Sequence, residues 1–157
     1  MPKFPKRVVS NWIKSVADIY KKRVGDISYI FCSDDEILEL NQKYLSHNYY
    51  TDIITFDYTN DDIIAGDIFI SLDTVSTNAM KYYKNFEQHG LHKSLQLKIN
   101  FKQELYRVMI HGILHLCGIK DKTKKEKTKM RERETQALKN LLVSNNYLNN
   151  QSNEVQL

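Results

Sequence analysis

Apolar residues recur along the chain with two periods, one typical of α-helices and one typical of β-strands. From Pro5 to Gly25 the period is helical, which predicts an amphipathic first helix ending near Gly25. The stretch DISYIFCS, residues 26–33, is rich in β-branched and aromatic side chains and predicts a strand. The predicted inward side of the first helix comprises Val9, Trp12, Ile13, Val16, Ile19 and Tyr20.

The same alternation continues to the end of the chain. Ser33 precedes a run of acidic residues, which predicts an N-capped helix over residues 34–45. Its expected inward residues are Ile37, Leu38 and Tyr44. The remaining predicted elements are strands at 52–58 and 66–72, a helix at 73–86, an exposed loop at 87–98, a central helix at 100–118 and a charged helix at 122–145. These elements predict a small α+β domain: a mixed sheet packed with about five helices.

Length and composition restrict the class of protein. A chain of 157 residues predicts one domain, here 1–146, followed by a disordered tail at 147–157. No apolar run is long enough for a membrane span, and the basic N-terminus lacks the apolar core of a signal peptide. Two cysteines without a CxxC pair predict no disulfide framework and favour the reducing cytoplasm. A net charge of +4 permits a nucleic-acid partner without demonstrating one.

Two histidines stand out in the central helix. His111 and His115 are four residues apart, so they lie on one face of the helix and can converge on one point. This is the spacing with which helices present two imidazoles to Zn²⁺. Cys117 points to nearly the opposite face and is a poor competitor. The pair alone is ambiguous, because most such pairs are ordinary polar residues.

Glycine and aspartate beyond the pair favour a metal site. Gly118 predicts the end of the helix and a turn that brings Asp121 back toward the histidines. His111, His115 and Asp121 would then be three ligands, leaving a fourth position open as in catalytic zinc sites. The alternative is that Asp121 only caps the following helix. The two roles are compatible.

Gly112 also carries information. A glycine within a helix costs about 1 kcal/mol relative to alanine, which predicts that another part of the protein passes close to its backbone. In H-E-x-x-H metalloproteases the residue after the first histidine is the glutamate that acts as general base. Gly112 has no side chain, so peptide hydrolysis by that route is excluded.

Three sequence blocks together resemble the YbeY family of bacterial endoribonucleases, which act in ribosomal RNA maturation. HGILHLCGIKD is similar to the family signature H-G-x-L-H-L-x-G-Y-D-H, LNQKYLSHNYYTDIITFDY to L-N-x-x-Y-R-G-K-D-x-P-T-D-V-L-S-F-P, and GDIFIS to G-D-I-x-I-S. The resemblance covers roughly residues 27–142. It implies a single-strand-specific, zinc-dependent endoribonuclease with one Zn²⁺ per chain, acting on 16S rRNA 3′ ends and in ribosome quality control.

The metal-binding block departs from the family at its last position. The third family histidine falls at Asp121, which we interpret as a change of ligand, since a carboxylate is a competent zinc ligand. The negative charge should make the metal a weaker Lewis acid.

The second block departs more strongly. Leu45 stands where the family has an arginine considered important for activity, and His47 stands where it has a lysine. His47 and Asp52 are the candidate catalytic residues, and Arg107 and Lys122 the candidate RNA contacts. For Asp52 a helix cap or a partner that orients a ligand histidine is an equal alternative. A histidine in such a loop is more often simply exposed, which is the alternative for His47.

Other differences concern loops and the N-terminus. The segment 87–98 is longer than the usual family connection, and its His89 and His92 are expected to face solvent. Family members usually begin with a strand, for which little chain precedes the first helix here. The resemblance implies single-stranded RNA and the ribosome as partners, with Lys and Arg of 120–133 and Tyr44, Tyr49 and Tyr50 as possible contacts.

Two other functions stay open from the sequence. One is a non-catalytic ribosome-assembly or RNA-binding factor with a structural metal, which Leu45 favours. The other is a metal-dependent hydrolase of a small substrate. The native metal, the general base and the oligomeric state are not determined by the sequence.

Overall fold

The computed structural model describes residues 1–46, 51–82 and 93–154, without the side chains of 82, 93 and 144–154. The elements in chain order are α1 (Lys6–Ile19), β1 (Arg23–Cys32), α2 (Asp34–Leu45), β2 (Ile53–Asp57), β3 (Ile63–Ser71), α3 (Leu72–Tyr82), α4 (Lys93–Leu116) and α5 (Lys124–Glu154). The predicted α+β class, a small mixed sheet with about five helices, is confirmed within these ranges. None of the described helices has the length and apolar character needed to cross a membrane.

The sheet has the order β1-β3-β2, so β3 is central. β1 runs parallel to β3 and β2 antiparallel to it. Ile64, Ile68 and Ile70 of β3 alternate on one face and are fully buried. Phe69 lies on the opposite face, where it contacts Phe56 of β2.

Helices cover both faces of the sheet. α4 lies on the face of Ile68, where a Cβ at Gly112 would come within 3.0 Å of two Ile68 side-chain atoms and 3.1 Å of one in Ile53. The close approach predicted at Gly112 is therefore confirmed. α2 lies on the opposite side, with the Tyr44 ring against Phe56. This arrangement places the C-terminal half of the central helix directly beside β2 and β3.

α1 and α5 complete the layer that contains α4. The Trp12 ring of α1 packs edge-to-face on Tyr106 of α4, with ring centroids 5.7 Å apart. Its indole N–H donates a buried hydrogen bond of 2.7 Å to the carbonyl of Ala137 on α5. Trp12 therefore joins three helices at one point of the core.

The start of α2 agrees with the prediction from its sequence. Ser33 and Glu36 form a reciprocal capping box, and Ile37 is fully buried. Tyr44 was predicted to face inward, but 56% of its surface is exposed. The cause is that the ring covers only the edge of Phe56, at the periphery of the sheet.

Several element boundaries differ from the predicted ones, and two differences are large. α1 ends at Ile19 rather than near Gly25, because Lys21 takes a left-handed conformation and β1 begins at Arg23. Residues 93–98 were predicted to be loop but form the first turns of α4. There Gln96 donates a hydrogen bond to the buried Asn100, a polar contact that the hydrophobic pattern does not reveal. Residues 87–92, with His89 and His92, lie outside the described residues.

The sequence also makes predictions for the two ends of the chain. The first five residues form no strand, as expected from the short segment before α1. At the other end the backbone of α5 continues to Glu154. The disordered tail at 147–157 stays a prediction. The domain boundary at 146 stays a prediction.

Both cysteines have strongly raised pKa values. Burial raises the pKa of Cys32 and of Cys117 to about 11. Because the thiolate is the reactive form, we expect alkylation of the folded protein by iodoacetamide to keep accelerating above pH 9. Mass spectrometry of labelling rates between pH 7 and pH 10 measures this. A rate that levels off near pH 8.5 would show that these thiols titrate as in free cysteine.

Candidate metal centre

The candidate metal centre lies at the C-terminal end of α4, where the chain turns back. Gly118 has a φ of 90°, a left-handed conformation that suits glycine. Its N–H donates to the carbonyl of His115 at 2.9 Å, and the Ile119 N–H donates to the carbonyl of Leu114 at 3.0 Å. These two bonds form a Schellman motif, which ends the helix as predicted and directs the next residues toward His115.

We expect Gly118→Ala to destabilise the protein by about 1 kcal/mol, since alanine disfavours a left-handed φ. No atom lies within 4 Å of a Cβ built on Gly118, so the cost is conformational rather than steric. Urea unfolding followed by circular dichroism measures it. Gly118→Asn is the matched variant. It should lose less stability than Gly118→Ala, because asparagine tolerates a left-handed conformation better. Equal stability of wild type and both variants would contradict the left-handed conformation of Gly118.

His111, His115 and Asp121 meet at one point. The Nε2 atoms of the two histidines are 2.9 Å apart. One carboxylate oxygen of Asp121 lies 3.3 Å from each Nε2. The potential ligand atoms all lie within 4.8 Å of one another. The structure thus brings together the three residues that the sequence singled out.

The other ring nitrogen of each histidine is held by a hydrogen-bond acceptor. His111 Nδ1 lies 2.7 Å from a carboxylate oxygen of Glu134. His115 Nδ1 lies 2.9 Å from the backbone carbonyl of Ile119. A carboxylate and a carbonyl both accept, so in the neutral form of each ring Nδ1 carries the proton and Nε2 presents its lone pair.

This set of donors fits a metal ion. Two Nε2 lone pairs and the Asp121 carboxylate face one another without a hydrogen-bond donor between them. A proton on one histidine would satisfy one of these contacts, whereas a divalent cation satisfies all three. Histidines with Nδ1 bound to a carboxylate or carbonyl are typical of metal sites. The ligands are half-buried, with 20% of the His111 side chain and 34% of the Asp121 side chain exposed.

The two histidines differ in their electrostatic surroundings. Burial by itself lowers the pKa of His111, but the hydrogen-bonded Glu134 and the nearby Asp121 and Asp52 outweigh it, and the pKa is raised. Burial and the charge of His111 lower the pKa of His115. The site is therefore an anionic environment that attracts cations.

Glu134 was not identified from the sequence. It lies on α5, is 5% exposed and also accepts from Arg107, with 3.4 Å between Nη1 and the carboxylate oxygen. A signal was present, because Glu134 lies between Met130 and Ala137 at helical spacing on the apolar side of α5. A charged residue on that side indicates a buried partner.

The remaining candidates are distributed around the site. The carboxylate of Asp52 is close enough to His111 to interact electrostatically, and burial raises its pKa. Lys122 is exposed just after Asp121. Arg107 was a candidate RNA contact, but only 13% of its side chain is exposed and it pairs with Glu104 and Glu134. His47 lies outside the described residues.

Comparison with known proteins decides the family. A family model described as endoribonuclease YbeY matches residues 2–142. The chain belongs to the YbeY family. The resemblance drawn from the three sequence blocks is thereby confirmed.

Individual relatives agree with this assignment. Proteins named endoribonuclease YbeY from Parabacteroides distasonis and Bacteroides thetaiotaomicron are 53% and 54% identical over 138 residues. These alignments cover 88% of this chain and 87% and 90% of the relatives. A Thermotoga maritima protein with a known solution structure matches with a TM-score of 0.55 and 26% identity, covering 89% of this chain and 85% of that one.

The YbeY block GDIFIS forms the second half of β3 and ends at Ser71, which contacts several neighbouring elements. Ser71 is fully buried, donates to Asp34 and accepts from the N–H of Thr74. Its backbone N–H donates to the carbonyl of Asp52 at 2.9 Å. The block therefore ties α2, α3 and the start of β2 together, and so positions Asp52 beside the metal centre.

Proposed function

We propose that this protein is a metal-dependent endoribonuclease that cleaves single-stranded RNA in ribosomal RNA maturation. Its specific substrates would be the 3′ end of 16S rRNA and RNA in ribosome quality control, in the cytoplasm. Membership of the YbeY family supports the activity. The observation that carries the proposal is the convergence of His111, His115 and Asp121 on one point.

The metal that we propose is one Zn²⁺ per chain. Two histidine nitrogens and one carboxylate are suitable zinc ligands, and a fourth position would stay open for substrate. Bound there, Zn²⁺ would supply Lewis acidity to a phosphate oxygen or an attacking water. Glu134 and Ile119 hold the two imidazole rings, and Asp121 supplies the negative charge.

RNA would approach along the start of α5. The stretch 120–133 contains eight Lys and Arg residues, and those from Lys122 to Lys129 are exposed. Such a surface attracts the phosphate backbone, so binding should weaken as salt is added. Lys122 is the candidate contact nearest in sequence to the metal ligands. Arg107 is not retained for this role, because only 13% of its side chain is exposed and it pairs with two carboxylates.

Asp52 and His47 remain the proposed proton-transfer groups. The carboxylate of Asp52 is close enough to His111 to interact with it electrostatically, and the backbone carbonyl of Asp52 accepts from the N–H of Ser71. A carboxylate beside the metal can accept a proton from an attacking hydroxyl. Replacement by asparagine tests this role separately from metal binding.

The decisive experiment is cleavage of labelled RNA by zinc-loaded protein. Single-stranded RNA from the 3′ end of 16S rRNA is compared with the same sequence in a duplex, with His111→Ala as the control. We expect internal cleavage of the single strand only, loss of cleavage in the variant, and weaker cleavage at higher salt. Intact RNA with both proteins would overturn the nuclease proposal.

One observation favours a second function, a non-catalytic RNA-binding factor of the ribosome. Leu45, at the end of α2, is 43% exposed where the family has an arginine. An exposed leucine cannot contact phosphate by charge. Zinc-dependent RNA binding without cleavage, in the same assay, would support this function instead.

A further inference from the structure

We propose that Glu134 is a positioning residue that directs His111 toward the metal and couples metal binding to the docking of α5. This inference rests on the proposed metal centre and goes beyond it, because Glu134 is not one of the three ligands. It belongs to a different helix from the two histidines.

The two oxygens of the Glu134 carboxylate have different partners, a histidine on one side and arginines on the other. One oxygen lies 2.7 Å from His111 Nδ1. The other lies 3.4 Å from Nη1 of Arg107 and 3.9 Å from Nη1 of Arg131. The shortest contact is thus the one to the histidine, and the arginines balance the charge from the other side. A carboxylate used only as a partner for Arg107 would not need to approach the imidazole.

The Glu134 carboxylate is buried, so it depends on its contacts with His111 and the arginines. Glu134 is 5% exposed, and a carboxylate removed from water is retained only with strong partners. Because the Glu134 carboxylate fixes the proton on Nδ1, Nε2 of His111 is free to coordinate. The ring of His115 is held differently, by the carbonyl of Ile119 near its own helix. Of the two histidines, His111 is thus the one whose Nδ1 is held by another helix within the described residues.

The position of Glu134 is set by the packing of α5. Met130 and Ala137, on the same side of the helix, are 2% and 3% exposed. The carbonyl of Ala137 accepts the indole N–H of Trp12 at 2.7 Å. A metal that holds His111 in place therefore also favours the docked position of α5, and the reverse holds by thermodynamic linkage. Trp12 is the single tryptophan of the chain, so its fluorescence reports on this contact.

The test is a zinc titration of metal-free protein at one pH, in competition with a chromophoric chelator. Glu134→Gln is compared with wild type and two matched controls. Glu104→Gln removes the other buried carboxylate beside Arg107, and Glu132→Gln makes the same change at an exposed site of α5. We expect Glu134→Gln to bind zinc about 10- to 100-fold more weakly, and both controls to bind as wild type does. Zinc should change the Trp12 emission of wild type and not that of Glu134→Gln.

Each result has a definite meaning. Equal zinc affinity of wild type and Glu134→Gln would overturn this inference while leaving the metal centre intact. Equal weakening by Glu104→Gln would also overturn it, because the effect would then belong to the buried charge network. Absence of zinc binding by wild type would overturn the proposed metal centre as well.

A second variant covers the case in which Glu134→Gln does not fold. Glu134→Asp keeps the charge but withdraws the carboxylate by one methylene group. We expect it to fold and to bind zinc more weakly than wild type, with an affinity above that of any folded Glu134→Gln. Wild-type affinity in Glu134→Asp would overturn the proposed dependence on carboxylate position.

Discussion

Asp121→Ala is expected to lose stoichiometric zinc, and with it RNA cleavage. Among the described residues, the carboxylate is one of three groups that meet at the common point, 3.3 Å from each histidine Nε2. Loss of a ligand should weaken binding by more than the roughly 10- to 100-fold that follows loss of an outer hydrogen-bond partner. Elemental analysis of wild type and variant, purified side by side without chelator, measures the zinc content.

The matched control is Asp121→His, which keeps three ligands and changes one oxygen donor to nitrogen. We expect it to retain zinc, as the usual family signature implies. Equal zinc in wild type and Asp121→Ala would contradict the ligand role and leave Asp121 as a residue of the turn before α5. Zinc loss in Asp121→His as well as in Asp121→Ala would show that the site requires a carboxylate.

Trp12→Ala is expected to have the largest effect on stability, about 3–5 kcal/mol. Trp12 is 1% exposed, packs on Tyr106 and donates to the carbonyl of Ala137. Its removal leaves a cavity where α1, α4 and α5 meet, and takes the donor from a buried carbonyl. Urea unfolding followed by circular dichroism gives the free energy of unfolding.

Tyr58→Ala is the control for this change. Tyr58 is also aromatic but 61% exposed, so Tyr58→Ala should change the free energy of unfolding by no more than about 0.5 kcal/mol. A loss below 1 kcal/mol for Trp12→Ala would show that the junction of the three helices contributes little to folding.

The sequence predicts the clustering of His111, His115 and Asp121 well because these residues are close together in the chain. Helix geometry fixes the relation of His111 to His115, and the glycine turn at Gly118 returns the chain to them. The close packing inferred at Gly112 follows from the cost of glycine in a helix, and the structure shows Ile68 and Ile53 there. These inferences need no knowledge of distant contacts.

Features that depend on two distant segments could not be predicted in the same way. Arg107 looked like a cation available to RNA, but it pairs with Glu134 of the next helix and only 13% of its side chain is exposed. Glu134 lies on the inward side of α5. It was not distinguished in the sequence from the many exposed charged residues around it. The first turns of α4 were missed because Leu95 and Leu97 are exposed, so the apolar pattern there does not follow burial.

The short span of the ligands has a consequence for the unfolded chain. His111, His115 and Asp121 follow one another within a helix end and one turn, so the loops that a metal closes are small. An unfolded chain can therefore bring the same three side chains to a zinc ion, with modest loss of entropy. Stabilisation by a ligand depends on the difference between its affinities for the folded and unfolded states. Zinc should consequently raise the unfolding temperature less than its affinity for the native protein alone would suggest.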